Sequence, residues 1–163
     1  EHKGKYADDI QITGNTVYEN AYTGISIGGY DKKRGGTSYS VIAHNIMFRN
    51  DTKGLDGGQL LLQYDTKHNN IEKNILTASD SRIFIANEFT ENEGNIVNHN
   101  VYHKEAGKDG LWIWKKDEYD VFSSYQKAAK QDQESIYADP MYRDEKSYDF
   151  TLDPNSPARS VIE

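Results

Sequence analysis

The sequence has 163 residues, a formal net charge of -7 and no cysteine, so disulfides and thiolate chemistry are excluded. The length suits one domain with its own core. The negative charge, without a basic stripe, argues against nucleic acid and an anionic membrane surface as partners. No apolar run approaches the roughly 18 residues that would predict membrane insertion.

An internal repeat organises the first two-thirds of the chain. Its marker is an asparagine between two short strand-forming runs, and it recurs at intervals of 30, 29 and 26 residues, as Asn15, Asn45, Asn74 and Asn100. Such intervals are typical of solenoid repeats. Apolar residues occupy fixed offsets around each marker: Ile12, Ile42, Ile71 and Val97 three residues before it, and Val17, Met47, Leu76 and Tyr102 two residues after it.

A third strand follows in each repeat, in GISIGG, QLLLQY, RIFIAN and GLWIWK. Its alternate positions are aliphatic, which predicts one buried face: Ile25, Leu60, Ile83 and Leu111, then Ile27, Leu62, Ile85 and Ile113. Three short strands per repeat predict an all-β parallel β-helix, a solenoid of about four rungs over residues 1–117. The alternative is an antiparallel sandwich, which gives no reason for four apolar columns in register.

The marker asparagines are predicted to form the bend between two strands. A sharp bend needs positive φ, which asparagine tolerates better than other non-glycine residues. Stacked amides can then bond one another in a ladder. The alternative is that the four asparagines line a binding site.

Residues 118–163 break the repeat and are predicted to cap the same domain. The segment DVFSSYQKAAKQDQ has apolar residues at helical spacing after an N-cap at Asp120. An irregular tail rich in turn signals follows. Because a solenoid exposes strand edges and core at its ends, it needs such a cap.

Together these features resemble the right-handed parallel β-helix proteins of the pectate-lyase-like superfamily. The segment ITGNTVYENAYTGISIG is similar to that family's rung, and SIYADPMYRDEKSYDFTLDPNSPA is similar to the C-terminal signature of polysaccharide-acting bacterial members. The resemblance implies a secreted or cell-surface bacterial protein that handles polysaccharide, often by lyase or glycosidase action, with calcium in many lyases. It also implies that an amino-terminal remainder of the same β-helix is a partner of this chain.

In the family, polysaccharide lies along the outer face of one sheet, here the third strand of each repeat. Alternation predicts these outward residues: Ser26, Gln59, Leu61, Gln63, Arg82, Phe84, Trp112 and Trp114. Aromatic faces and amides suit sugar rings and uronate carboxylates, so we predict substrate binding by Gln63, Phe84, Trp112 and Trp114. The alternative is that the two tryptophans dock the C-terminal cap.

One acidic residue per repeat follows these strands: Asp31, Asp65, Glu88 and Asp117. Carboxylates in a row suit calcium, which makes Asp31, Asp65 and Glu88 candidate ligands. Asp31 and Asp65, on stacked rungs about 4.8 Å apart, also match the carboxylate pair of a glycoside hydrolase. The alternative is that these acids are solvated turn formers.

For a lyase, a basic side chain must remove the proton beside the uronate carboxyl. The candidates near this face are Lys32, Lys33, Arg34, Lys67 and Arg82, of which we predict Lys33 and Arg82. The leading functional hypothesis is a polysaccharide lyase, or the C-terminal part of one, acting on an acidic polysaccharide. The alternatives are a glycoside hydrolase on the same scaffold and a non-catalytic glycan-binding or surface-adhesion module.

Overall fold

A computed structural model, which describes residues 5–105 and 109–163, shows a parallel β-solenoid of about four turns. Residues 1–4 and 106–108 of the predicted solenoid segment lie outside the described residues. The all-β solenoid predicted from the repeat is confirmed. No helix in the described ranges is long and apolar enough to cross a membrane.

Each of the first three turns contains four short strands. The first turn has β1 (Tyr6–Asp8), β2 (Gln11–Thr13), β3 (Thr16–Tyr18) and β4 (Ile25–Ile27). The second has β5 (Gly36–Ser38), β6 (Val41–Ala43), β7 (Ile46–Phe48) and β8 (Leu60–Leu62). The third has β9 (Thr66–Lys67), β10 (Asn70–Glu72), β11 (Ile75–Thr77) and β12 (Ile83–Asn87).

The fourth turn leads into the C-terminal segment. It contains β13 (Ile96–Asn98), β14 (Val101–His103) and β15 (Leu111–Trp114). The elements that follow are β16 (Asp117–Tyr119), α1 (Phe122–Ala129), β17 (Ile136–Tyr137), β18 (Tyr142–Asp144), a short 3-10 helix (Glu145–Ser147), β19 (Asp149–Leu152) and α2 (Arg159–Ile162).

Stacking of the turns produces four sheets: sheet A (β1-β5-β9), sheet B (β2-β6-β10-β13), sheet C (β3-β7-β11-β14-β17) and sheet D (β4-β8-β12-β15-β16). Pairing within them is parallel, except that β16 folds back antiparallel on β15. The prediction of three strands per turn was wrong because it omitted sheet A. Strands β5 and β9 consist of small and polar residues, so no apolar alternation marks them in the sequence.

The interior columns of sheets B and C are confirmed. Ile12, Ile42, Ile71 and Val97 stand in register in sheet B, and Val17, Met47, Leu76 and Tyr102 do so in sheet C. All eight contribute to one core cluster. No single turn can bury such a column, so burial of these side chains depends on stacking.

The predicted asparagine ladder is also confirmed. The Nδ2 of Asn15 donates to Asn45 Oδ1 at 3.0 Å, Asn45 donates to Asn74 at 3.0 Å, and Asn74 donates to Asn100 at 3.2 Å. The predicted positive φ of these asparagines was wrong. The residue before each one has φ between 54° and 68°: Gly14, His44, Lys73 and His99. The bend therefore falls one residue earlier, and the asparagine side chain follows it into the interior.

Two further polar ladders occupy other bends. One joins Ser40, Asn69 and Asn95, with side-chain acceptors 3.0–3.1 Å from the backbone N–H of the turn before. The second joins Asn20, Asn50 and Gln59: Asn20 Nδ2 donates to Asn50 Oδ1 at 2.9 Å, and Asn50 Nδ2 donates to Gln59 Oε1 at 3.0 Å. These bonds satisfy backbone and amide groups that would otherwise be buried unpaired.

Helix α1 covers the C-terminal end of the core. Its buried Tyr125 stacks on Trp112, with ring centroids 5.4 Å apart and planes at 8°. The predicted N-cap at Asp120 was wrong, because the helix begins after Val121 and no side chain caps it. Packing against the last rung, rather than capping, holds this helix in place.

Asp132 joins this cap to the end of the asparagine ladder. Its carboxylate accepts hydrogen bonds from the hydroxyls of Tyr102 at 2.9 Å, Tyr125 at 2.8 Å and Ser135 at 2.5 Å, and from Asn100 Nδ2 at 3.3 Å. Burial raises the pKa of Asp132 above its ordinary value of 3.8, and the four donors oppose that rise only in part.

The raised pKa of Asp132 predicts a pH-dependent contribution to stability. Between pH 3.8 and the raised pKa, the folded state binds more protons than the unfolded chain. The contribution of Asp132 to the unfolding free energy is therefore fully present below pH 3.8. It falls as pH rises, by at most about 1.4 kcal/mol per pH unit. In urea titrations from about pH 4 to 7, the unfolding free energy of the wild type should fall relative to Asp132→Asn. Asp120→Asn, at an exposed carboxylate, is the control, and a difference that grows with pH would contradict the prediction.

The C-terminal tail covers the outer face of sheet C. Ala158 and Val161 pack on Ile75 and Val101 in a small cluster, and Phe150 approaches Phe48 with ring centroids 4.9 Å apart. The tail thus occupies this face of the solenoid.

Candidate functional site

A β-bulge in β12 decides which residues of sheet D face outward. The register of β12 against β15 shifts between Ile83 and Ile85, so Phe84 is an additional residue. Beyond it, Ile85 pairs with Leu60 and Trp112 in the inward column, and Ala86 faces outward. Because side chains alternate with a period of two, one additional residue moves each following side chain to the opposite face.

The predicted outward placement of three aromatic residues was therefore wrong. Phe84, Trp112 and Trp114 are buried in the main core, at 0%, 1% and 8% exposure. Contact of both tryptophans with Tyr125 of α1 agrees with the alternative that they dock the cap. The inward placement was likewise wrong for Ile83, Leu111 and Ile113, which form a separate cluster on the other side of the sheet. Gln59, also predicted outward, is buried in a ladder.

Gln63 is the predicted substrate-binding residue that reaches the outer surface of sheet D. It is partly exposed, and its Oε1 accepts a hydrogen bond from the exposed Ser26 at 3.1 Å. Leu61 and Ala86 lie on the same outer face. Leu61 and Ala86 are themselves buried, at 6% and 0% exposure, so this part of the sheet presents the polar side chains of Ser26 and Gln63 to solvent rather than an apolar surface.

The predicted catalytic residues serve local contacts. Asp31 Oδ1 accepts the backbone N–H of Lys33 at 2.8 Å, and its Oδ2 forms an ion pair with Arg34 Nε at 2.8 Å. Asp65 pairs with Lys67 at 3.4 Å, and Arg82 donates from Nε to the Asp109 carbonyl at 2.6 Å. Asp31 and Asp65 are therefore each bonded to a neighbouring cation, as expected of turn formers.

Lys67, a further cation beside this row, is held in its protonated form. Burial alone would lower its pKa, but the hydrogen bond and negative charge of Asp65 outweigh burial and raise it. A lysine with a raised pKa is a poor general base at neutral pH.

The three predicted calcium ligands do not meet in one group. Among residues 5–105 and 109–163, no three His, Asp or Glu side chains are arranged to hold a metal ion. Asp31 and Asp65 already have cationic partners, and Glu88 lines a different feature. Asp31, Asp65 and Glu88 therefore do not form one carboxylate group in this structure.

Glu88 belongs to an open cleft of about 410 Å³ at the carboxyl ends of the strands of sheet D. Its lining comes from all four turns: Lys32, Tyr64, Glu88, Phe89, Thr90, Glu91 and Lys116. Tyr64 and Phe89 stack in its middle, with ring centroids 3.8 Å apart. We call this feature the strand-end cleft. It combines an aromatic pair with charges of both signs.

Hydrogen bonds from the ladders and loops fix the walls of the strand-end cleft. Gly29 and Tyr64 exchange backbone hydrogen bonds of 2.7 and 3.1 Å, which join the first loop to the second turn. Asn92 donates from Nδ2 to Asn87 at 2.9 Å and to the Gln63 carbonyl at 3.0 Å. The loop that carries Phe89 is therefore tied to the sheet at both ends, and the aromatic pair is preorganised.

The charges of the strand-end cleft have no ion-pair partners. In the described part of the chain, Lys32, Lys116, Glu88 and Glu91 form no ion pair with one another or with other residues. A crevice on the other flank of sheet D differs in this respect. There Arg49 already pairs with Glu105 and with Glu145, the latter at 3.3 Å. The strand-end cleft is thus the better candidate site for a charged ligand.

Tyr64 and Phe89 were missed by the sequence interpretation. Both adjoin the predicted acid row, in the segments QYD and NEF, so aromatic residues beside those acids were the available signal. The alternation pattern instead favours aromatic residues inside the strands, because a single sequence does not reveal the bulge.

Comparison with known proteins identifies one bacterial relative. The chain is 80% identical over all 163 residues to the uncharacterized protein YwoF of Bacillus subtilis (strain 168), and it spans 35% of that protein's length. No protein-family model and no solved structure matches the chain.

Proposed function

We propose that this chain binds an acidic polysaccharide in the strand-end cleft, as part of a secreted or surface β-solenoid enzyme of the lyase type. The observation that carries the proposal is the stacked Tyr64–Phe89 pair in a cleft whose lysines have no ion-pair partner among residues 5–105 and 109–163. Exposed aromatic faces suit the apolar faces of sugar rings. Lys32 and Lys116 suit uronate carboxylates, and Glu88 and Glu91 can accept hydrogen bonds from sugar hydroxyls.

In a lyase reaction, a base removes the proton beside the uronate carboxyl, and the glycosidic oxygen on the neighbouring carbon leaves with a proton. A lysine ammonium that neutralises the carboxylate makes the first proton more acidic. The Tyr64 hydroxyl is a proton donor within the strand-end cleft. Residues of the same cleft thus offer two of the required roles, carboxylate neutralisation and proton donation to the leaving oxygen.

A panel of uronate and neutral polysaccharides tests the proposal. Growth of ultraviolet absorbance from an unsaturated product supports the lyase, whereas binding without product supports a glycan-binding module. No binding to any uronate polymer would overturn the proposal. A chelator added to the same assay tests the calcium dependence that the resemblance implies.

A glycoside hydrolase is the second candidate, because Glu88 and Glu91 share the strand-end cleft and such enzymes use two carboxylates. New reducing ends without ultraviolet absorbance would support it. Loss of those reducing ends in Glu88→Gln or Glu91→Gln would assign the reaction to this cleft.

Substitutions in the strand-end cleft should weaken uronate binding selectively. Lys32→Ala and Lys116→Ala are each expected to lower the affinity about tenfold, because each removes a charge-assisted hydrogen bond. Tyr64→Ala should lower the affinity for every bound glycan by a similar factor, because stacking on a sugar ring does not depend on the charge of the glycan. Calorimetric titration at low and high salt measures these changes, and salt should weaken only the lysine-dependent part.

Lys127→Ala is the matched control for this series, because Lys127 is an exposed cation on α1 that does not line the strand-end cleft. Its affinity for uronate polymers should equal that of the wild type. Equal losses in Lys127→Ala and Lys32→Ala would show that net charge, rather than the strand-end cleft, governs binding.

A further inference from the structure

The amino-terminal end of the solenoid is an open edge. Strands β1 to β4 each pair with one neighbour, in the second turn, and no described strand lies on their other side. Ile10 and Tyr18 beside this edge are 44% and 43% exposed. The opposite end of the solenoid, in contrast, is covered by β16 and α1.

Backbone donors point out of this edge. In the second turn, the N–H groups of Val41 and Ile46 donate to the carbonyls of Ile10 and Asn15, at 2.9 and 2.8 Å. Gln11 and Thr16 hold the equivalent positions in the first turn. By that register, their N–H groups point toward the position that the carbonyl groups of a preceding turn would occupy.

The asparagine ladders have a hydrogen-bonding polarity, which leaves acceptors at the open edge. At each step, the Nδ2 and backbone N–H of one asparagine donate to the Oδ1 of the asparagine in the next turn. Asn20 donates to Asn50 in the same way. The Oδ1 atoms of Asn15 and Asn20 consequently have no donor among the described residues, and they are acceptors for amides of a preceding turn.

The other end of the main ladder is closed. Asn100 donates its backbone N–H to Ser135 Oγ at 2.8 Å and its Nδ2 to the Asp132 carboxylate at 3.3 Å. A carboxylate has no N–H to donate to a further turn. The main ladder can therefore be extended only at Asn15.

We propose that the open edge binds a further solenoid turn from a longer polypeptide, which presents side-chain amides to Asn15 and Asn20. The relative that matches the whole chain is nearly three times as long, so it has residues enough for additional turns. By the intervals within this chain, the donor residues should stand about 26 to 30 positions before Asn15 and Asn20.

A second copy of this chain does not fit the open edge. A two-fold axis would bring the same residues together, so Oδ1 acceptors would face Oδ1 acceptors and the strands would meet antiparallel. A preceding turn in the same direction supplies donors and continues the parallel pairing. This inference does not depend on which ligand occupies the strand-end cleft.

Hydrogen exchange tests the proposed docking. The 163-residue chain is compared with the same chain joined to the residues encoded upstream of it. In the extended protein, the Gln11 and Thr16 amides should exchange at least about a hundredfold more slowly. Unchanged exchange at these two amides would overturn the proposal, as would a gene that encodes no preceding turn.

Asn15→Ala in both proteins tests the ladder itself. In the extended protein the variant leaves a buried upstream amide without its acceptor, so the folding equilibrium constant should fall by about tenfold more than in the short chain. Thr13→Ala, at an exposed position in the same turn, should give equal effects in both. Equal effects of Asn15→Ala, or a dimer of the short chain that protects Gln11 and Thr16, would contradict the assignment.

Discussion

Asn74→Ala is expected to lower the free energy of unfolding by about 3–6 kcal/mol, because several buried groups lose their partners together. Asn74 accepts the backbone N–H and the Nδ2 of Asn45, both at 3.0 Å. It also donates to Asn100 Oδ1 at 3.2 Å and to the Ile42 carbonyl at 2.8 Å. Its own side chain is fully buried, so bulk water does not replace these bonds.

Urea denaturation of the wild type and the variant measures this loss, and Asn70→Ala is the matched control. Asn70 lies four residues earlier, in β10, and its side chain makes no hydrogen bond with any residue that the structure describes. Its replacement should change stability by no more than about 0.5 kcal/mol. Similar effects of the two substitutions would show that the ladder adds little to stability.

Trp112→Ala is expected to cost about 3–5 kcal/mol of stability, the range for a large aromatic residue removed from a core. Trp112 is 1% exposed and lies between Phe84, at 4.8 Å, and Tyr125 of α1, at 5.4 Å between ring centroids. Its removal opens a cavity where the last turn meets the cap, so the cap should loosen as well.

This substitution also separates the two interpretations of the tryptophan. Loss of thermal stability, with increased exchange of the α1 amides, agrees with its position in the core. Unchanged stability with lost glycan binding would instead restore the predicted role on the outer face. Tyr30→Ala, at a side chain that is 72% exposed, is the control for removal of an aromatic ring and should cost less than about 1 kcal/mol.

The strand-end cleft contains contacts that the sequence pattern does not predict. Asp31, Asp65 and Glu88 were recognised as strand-end residues, and all three do follow strands of sheet D. Whether such a carboxylate pairs with a neighbour or lines a cleft depends on loop conformation, because Arg34 and Lys67 neutralise two of them and leave Glu88 open. The stacking of Tyr64 on Phe89 joins residues of different turns, which no local pattern records.

The amino-acid sequence was sufficient to predict the solenoid, the columns of sheets B and C and the asparagine ladder. These features recur in every repeat, so each repeat by itself predicts which side-chain positions point into the core. The tertiary structure alone decided the face of each side chain in β12 and β15, the extra strand of sheet A and the location of the strand-end cleft. A single inserted residue reverses the inside and the outside of a strand, and only the register against its neighbours shows where that insertion lies.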